Sequence, residues 1–303
     1  MVGAPRPPRA AAAARVVSGW LVTGADGMLG RDLADLLRAE GDQVIGLNRA
    51  GLDVTDAGAV AAALTHHRPD VVVNCAAWTA VDDAEAREDE ALEINGRAVG
   101  YLADACAHGG VPLVQVSTDY VFDGHAEKPY AEDHPAAPGS AYGRTKLAGE
   151  QAARAARPDG SYVVRTAWLY GAHGSSFVRT MLTRARAGSP VSVVDDQRGQ
   201  PTWTADVAAQ IRALISAGSP AGTYHATSSG ETTWFGLARA VYAIAGADLA
   251  LVTPTTSAAY QRPAPRPAYS VLGHDGWLAA GLEPIGDWRD ALERAFPAML
   301  AAQ

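Results

Sequence analysis

Lysine is nearly absent from this chain. Its 303 residues hold only Lys128 and Lys146, although Lys and Arg together number 25. Wherever a cation is needed the chain uses a planar guanidinium, so each compact, flexible ammonium needs a reason. Cysteine is equally scarce. Cys75 and Cys106 are too few for a disulfide framework and lack metal-ligand spacing. Both fall in apolar segments, where a buried free thiol is expected, and the cytoplasm is the expected compartment. Positive charge is also short: 33 acids against 25 bases give −8. That balance argues against a phosphate-neutralising surface, so nucleic acid is not an expected partner. An anionic ligand must instead be held locally, by backbone amides or a few arginines. No apolar run approaches the ~20 residues that span a bilayer, so no membrane segment is expected. Residues 1–15 contain Pro, Ala and Arg without an acid, lack the serines of a transit peptide and the apolar stretch of a secretion signal, and read as a disordered tail.

What is present is a globular composition, 48% apolar and 19% charged, with length for one large or two modest domains. The most informative stretch is Ser140-Ala-Tyr142-Gly-Arg-Thr-Lys146-Leu-Ala-Gly-Glu150, which reads as the first turns of a helix. Tyr142 and Lys146 lie one turn apart on one face. An ammonium beside a phenol favours phenolate, lowering a pKa near ~10 towards the range of a working proton donor or acceptor.

Residues 16–23 read as a first strand. Thr23-Gly24-Ala-Asp-Gly27-Met28-Leu29-Gly30 follows, then Leu33, Leu36 and Leu37 at helical spacing. In this strand–turn–helix context Gly24 permits a tight turn, Gly27 lets backbone approach a pyrophosphate, and Gly30 lets helix pack on strand. The phosphates would sit on the helix N-terminus. A second strand, residues 43–47, ends in Asn48-Arg49, where NAD-selective folds often carry an acid. An arginine there suits a 2′-phosphate and favours NADPH, with NADH the alternative. Asp53 could reach the adenine edge, and Asp56 is suited to cap the helix that begins at Ala57.

Residues 69–77 form a continuous apolar strand of the doubly buried kind, and Ala76, Ala77 and Thr79 follow its end. His66 and His67 read as an exposed loop before it. The acids of residues 82–93 read as a solvated helix start. Residues 111–117 and 162–166 give a fourth and fifth strand, with the Tyr142 helix between them. The expected fold is α/β: a Rossmann-type doubly wound parallel sheet over residues 16–167, with a smaller C-terminal α/β region over 168–303 that binds substrate and exchanges segments with the first.

With these motifs the chain resembles the extended short-chain dehydrogenase/reductase superfamily, and within it the dTDP-4-dehydrorhamnose reductases. The likeness runs over nearly the whole chain. It includes Asn74-Cys-Ala-Ala-Trp-Thr-Ala-Val81-Asp82, Ser117-Thr-Asp-Tyr-Val-Phe-Asp-Gly124, Asp195-Asp-Gln-Arg-Gly-Gln-Pro-Thr202 and Arg266-Pro-Ala-Tyr-Ser270. The resemblance implies Tyr142 as proton donor, Lys146 as its tuner and ribose anchor, and Thr118 as the hydroxyl that orients the substrate oxygen. It implies Gly27, Met28 and Leu29 at the pyrophosphate, with Asp53, Val54 and the Ala77–Thr79 segment around the rest of the cofactor. Thr79, Val81, Asp119, Trp168 and Arg266 would border a dTDP-sugar. Arg165, Arg198 and Arg266 are candidates for its diphosphate. The chain departs from the family at Trp20, which is bulkier than usual, at Tyr269 and at Gly273-His274. Some relatives use Mg²⁺ at a subunit contact, but no metal site is legible here. A monomer or homodimer is expected. The residues leave open a dihydrostreptose-type reductase, an epimerase or dehydratase of the superfamily, and a non-catalytic regulatory subunit.

Overall fold

The computed structural model describes residues 19–301. The expected tail, and residues 16–18 of the expected first strand, lie outside the described residues. From Gly19 onward strands and helices alternate: β1 (Gly19–Thr23), α1 (Met28–Ala39), β2 (Gln43–Leu47), α2 (Ala57–His67) and β3 (Val71–Asn74). Next come α3 (Val81–Ala86), α4 (Glu88–Leu92), a π-helical stretch at Glu93–Arg97, α5 (Ala98–Gly109), β4 (Leu113–Thr118), α6 (Ala141–Ala156) and β5 (Ser161–Thr166).

These five strands lie parallel, and a strand from much later in the chain completes a six-stranded sheet whose order reverses beside β1. Side chains leave it alternately to two cores. Trp20, Val22, Val71 and Val73 meet Leu33 and Leu37 of α1 on one face, whereas Leu21 and Val72 meet Val60, Leu64 and Leu102 on the other. The large Trp20 is wholly buried in the first of these cores, where truncating Leu33 to Ala should cost ~2–5 kcal/mol. Asp56 caps α2 through Gly58 N and Ala59 N. That helix runs through His67, so His66 and His67 occupy its last turn rather than a loop.

Beyond β5 the chain forms β6 (Leu169–Tyr170), α7 (Phe177–Arg186), β7 (Val191–Val194), β8 (Arg198–Gly199), β9 (Thr202–Trp203) and α8 (Thr204–Ser216). It continues through β10 (Gly222–His225), β11 (Thr232–Thr233), α9 (Trp234–Ile244), β12 (Val252–Thr255), α10 (Asp275–Ala279) and α11 (Trp288–Ala301). A separate core, with Leu182, Leu237, Tyr242, Trp288 and Phe296, joins α7, α9 and α11. Yet β10 pairs with β5 as the edge strand of the main sheet, and Ile211 and Leu214 of α8 pack with Trp20. The chain therefore crosses repeatedly between the two cores, returning to the first for α8 and β10 and again for Trp277 of α10. Among the described residues no helix is long and apolar enough to cross a membrane.

Candidate active site at the carboxyl edge of the sheet

In such sheets the crevice at the strand-order reversal is the ligand site. Here a cleft of about 620 Å³ opens there, beyond the carboxyl ends of β1, β3, β4 and β5. Its floor is the glycine turn. Gly24 has φ +63°, and a Cβ on it would stand 2.6 Å from Ala76 N. A Cβ on Gly30 would collide with the carbonyl oxygen of Gly24. Gly27 occupies the N-cap of α1 without a side-chain cap, leaving the first amides of the helix for an anion. Gly27, Met28, Leu29 and Gly30 all line the cleft.

The segment after β3 forms one wall, with Ala76, Ala77, Thr79 and Val81 lining it. It is fixed by two buried amides. Asn74 accepts from Thr23 Oγ1 at 2.5 Å and donates to Gln115 at 2.8 Å. Asn95, carried on the π-helical stretch, accepts from Trp78 N at 2.9 Å and donates to Trp78 O at 3.1 Å. Asn95 is a positioning residue that the sequence reading missed. Its only signal is an amide inside an otherwise amphipathic helical run, and π-helical bulges of this kind recur at functional sites.

The opposite wall carries Thr118, Asp119, Tyr142, Lys146 and Trp168. Ser140 caps α6 through Gly143 N. The tyrosine and lysine thus share one face, and Lys146 Nζ donates to Val116 O at 2.7 Å. Electrostatically the pair differs from the sequence expectation. Burial pushes the Tyr142 phenol up from its usual value; the Thr118 hydroxyl opposes this and Asp119 adds to it. Burial lowers Lys146 to about 8, partly offset by Glu150. The expected lowering of the phenol is not met because desolvation dominates there, and the Lys146 ammonium is taken by a backbone carbonyl. Thr118 donates to Asp119 Oδ1 at 2.9 Å. Asp119, wholly buried with Oδ2 unpartnered, is pushed up to about 6 by burial, against the hydrogen bond from Thr118. Trp168 adopts φ +48° and stacks on Trp234 at 3.6 Å. A bulky residue held in that conformation is a feature of ligand clamps.

Tyr120 joins this cleft to a second cavity of about 550 Å³, lined among others by Phe177, Arg184, Gln197, Trp234, Tyr260, Arg262 and Arg266. The Asp82 carboxylate accepts from Arg262 at 2.6 and 2.9 Å, from Arg266 at 3.0 Å and from Ala264 N at 3.2 Å. Burial pushes this carboxyl up, but those donors hold it below its usual range.

Several expected ligands stand elsewhere. Arg165 is buried, gripping Glu150 at 2.7 and 2.9 Å and lying over the Phe122 ring. It is a core ion pair, not a diphosphate contact, because its strand position points it under α6. Arg198 pairs with Glu231 at 2.9 Å on the surface. Asp53 is exposed and turned onto Thr55, whose hydroxyl and amide hold its carboxyl down. Val54 is buried in the core behind β1. Neither lines the cleft. Asn48 and exposed Arg49 stand at the end of β2, with Asn48 bonded to Asp26 at 2.6 Å. His274 pairs with Thr227 at 2.8 Å and Tyr269 with Glu231 at 3.2 Å, so both departures serve packing between segments. Among the described residues no group of three or more His, Cys, Asp or Glu could hold a metal ion.

Residues 19–300 match the family model described as RmlD substrate binding domain. The chain belongs to that family. Among its relatives, a dTDP-4-dehydrorhamnose reductase of Streptomyces griseus is 54% identical over 92% of this chain and 93% of its own. A probable dTDP-4,6-dihydroxy-2-methyloxan-3-one 4-ketoreductase of Streptomyces antibioticus is 55% identical over 94% and 96%. A crystal structure of dTDP-4-dehydrorhamnose reductase from Bacillus anthracis in complex with NADP superposes with a TM-score of 0.88 at 35% identity, covering 92% of this chain and 99% of that one.

Proposed function

We propose that this chain is an NADPH-dependent reductase of the C4 ketone in a dTDP-6-deoxy-4-ketohexose, with dTDP-4-dehydro-L-rhamnose to dTDP-L-rhamnose as the favoured conversion. One juxtaposition carries the reading: Tyr142, Thr118 and Lys146 share a cleft with the open amides of α1, and Tyr120 joins it to an arginine-lined cavity. The family's relatives named for reduction of dTDP-linked keto sugars support the same chemistry.

The glycine cradle fits a dinucleotide, because a Cβ at Gly24 or Gly30 would move the turn and uncapped helical amides favour a pyrophosphate. Bound there, a reduced nicotinamide supplies hydride. The protein's part is the proton. Tyr142, held protonated by burial, donates to the carbonyl oxygen as it gains charge. Thr118, whose hydrogen lies on Asp119 Oδ1 without substrate, orients that oxygen by turning its single hydrogen to it. Lys146 keeps one hydrogen on Val116 O and has others for ribose hydroxyls. Proton donation of this kind contributes ~10²–10⁴-fold, with positioning and electrostatics supplying the remainder. In the second cavity Arg184, Arg262 and Arg266 suit a diphosphate, and Trp234, Phe177 and Tyr260 suit a flat base.

The test mixes purified protein with NADPH and a dTDP-4-keto-6-deoxyhexose. Loss of reduced-nicotinamide absorbance matched by formation of the 4-hydroxy sugar supports the reductase. Sugar rearrangement without cofactor consumption points to an epimerase or dehydratase, and binding without either change to a regulatory subunit.

A further inference from the structure

The sequence leaves the end of β2 without an acid, but folding brings one there from the glycine turn. Asp26 precedes Gly27 and is exposed. Asn48 Oδ1 accepts from Ala50 N at 3.1 Å and Gly51 N at 3.0 Å. Those two donors fix which end of the amide faces inward, so its NH₂ group must point to Asp26. Nδ2 reaches Asp26 Oδ2 at 2.6 Å. The turn is tied to β2 again by Ala25 N on Leu47 O at 3.2 Å, and Arg31 Nε holds Asp26 O at 3.0 Å. The carboxylate therefore stands where dinucleotide folds place the acid that binds ribose hydroxyls, with one oxygen on Asn48 and the other open to a donor. Exposed Arg49 is next in sequence to its partner.

We propose that Asp26 is the specificity-determining residue for the ribose end of the cofactor. Its carboxylate accepts from a 2′-hydroxyl and repels a 2′-phosphate, while Arg49 attracts the 2′-phosphate. Preference between the two dinucleotides is then the difference between two opposed charges, rather than the sign of Arg49 alone. This rests on reading the cleft as a dinucleotide site.

The test measures dissociation constants of NADP⁺ and NAD⁺ by titration calorimetry on the full chain, with no sugar present. Asp26→Asn keeps the shape of the side chain and its bond to Asn48. It should tighten NADP⁺ about fivefold and weaken NAD⁺ about threefold, the scale of one exposed charge and one hydrogen bond. Arg49→Ala should move the ratio the opposite way, and added salt should shrink both shifts. An NADP⁺/NAD⁺ ratio within about twofold of wild type in Asp26→Asn, with both ligands bound, overturns the inference and leaves the dinucleotide site standing. Failure of the wild-type chain to bind either dinucleotide overturns both.

Discussion

The two cavities that meet at Tyr120 are built by different means. The cofactor cleft is made mainly from backbone: glycines that permit close approach, uncapped helical amides, and strand ends fixed by Asn74 and Asn95. The arginine cavity is made mainly from side chains drawn from α7, β7, α9 and the segment around Arg262, and Asp82 of α3 clasps Arg262 and Arg266 together. Backbone sites tolerate little change in the residues that shape them. Side-chain sites adjust, so substitutions in the second cavity should be graded where those in the first are close to all-or-none.

The sharpest test of that contrast is Tyr142→Phe, which removes one hydroxyl from the first cleft. Turnover should fall ~10²–10⁴-fold while the dissociation constant for NADPH stays within about twofold of wild type. Steady-state rates with calorimetric binding measure both, and near-normal turnover would remove Tyr142 as the proton donor. Next in size is Arg165→Met. A diphosphate ligand would show the change in KM for the sugar nucleotide. A core pair instead loses ~3–5 kcal/mol of stability, because Glu150 is left buried with only a long 3.4 Å contact to Arg154. Denaturant unfolding should report that loss.

That pair also marks the limit of what the sequence reveals. The glycine turn, the Tyr142/Lys146 face, Thr118, the bounds of β2 and the doubly wound sheet follow from local spacing, since a helix or strand fixes which neighbours share a face. Arg165 looked like a ligand because a single strand does not say which helix crosses it, and Glu150 is its partner only once α6 lies on β5. The upward shift of Tyr142 was illegible for the same reason: spacing reports the nearby cation but not the lost water. Asp26 was overlooked at the end of β2 because it reaches that corner through space, 22 residues from Asn48.

A smaller effect separates the buried carboxyl of the first cleft from the paired one of the second. Asp119 rises from 3.8 to about 6 on folding, so between those values the native state binds more protons than the unfolded chain. Stability contributed by this group is present below about 4 and falls as pH rises through 6, by about 3 kcal/mol in all. Asp82, held below its usual range, acts in the reverse sense and loses its contribution as pH falls. Asp119→Asn should therefore abolish the loss across pH 4–6, seen as the difference from wild type in matched denaturant melts. Parallel curves for the two proteins would mean that Asp119 titrates normally.

The smallest change expected comes from Asp82→Ala. The carboxylate touches no atom of the proton-transfer group, yet it takes hydrogen bonds from Arg262, Arg266 and Ala264 N together. Its loss frees two guanidiniums that line the second cavity, and the segment carrying them loses its tie to α3. Freed arginines can still meet a diphosphate, but ordering each long side chain then costs about 0.5–1.5 kcal/mol on binding. KM for the sugar nucleotide should accordingly rise about tenfold while kcat and NADPH affinity hold. The split matters more than its size. A matching fall in kcat would mean that the clasp shapes the first cleft through Tyr120, and the two cavities would then have to be treated as one.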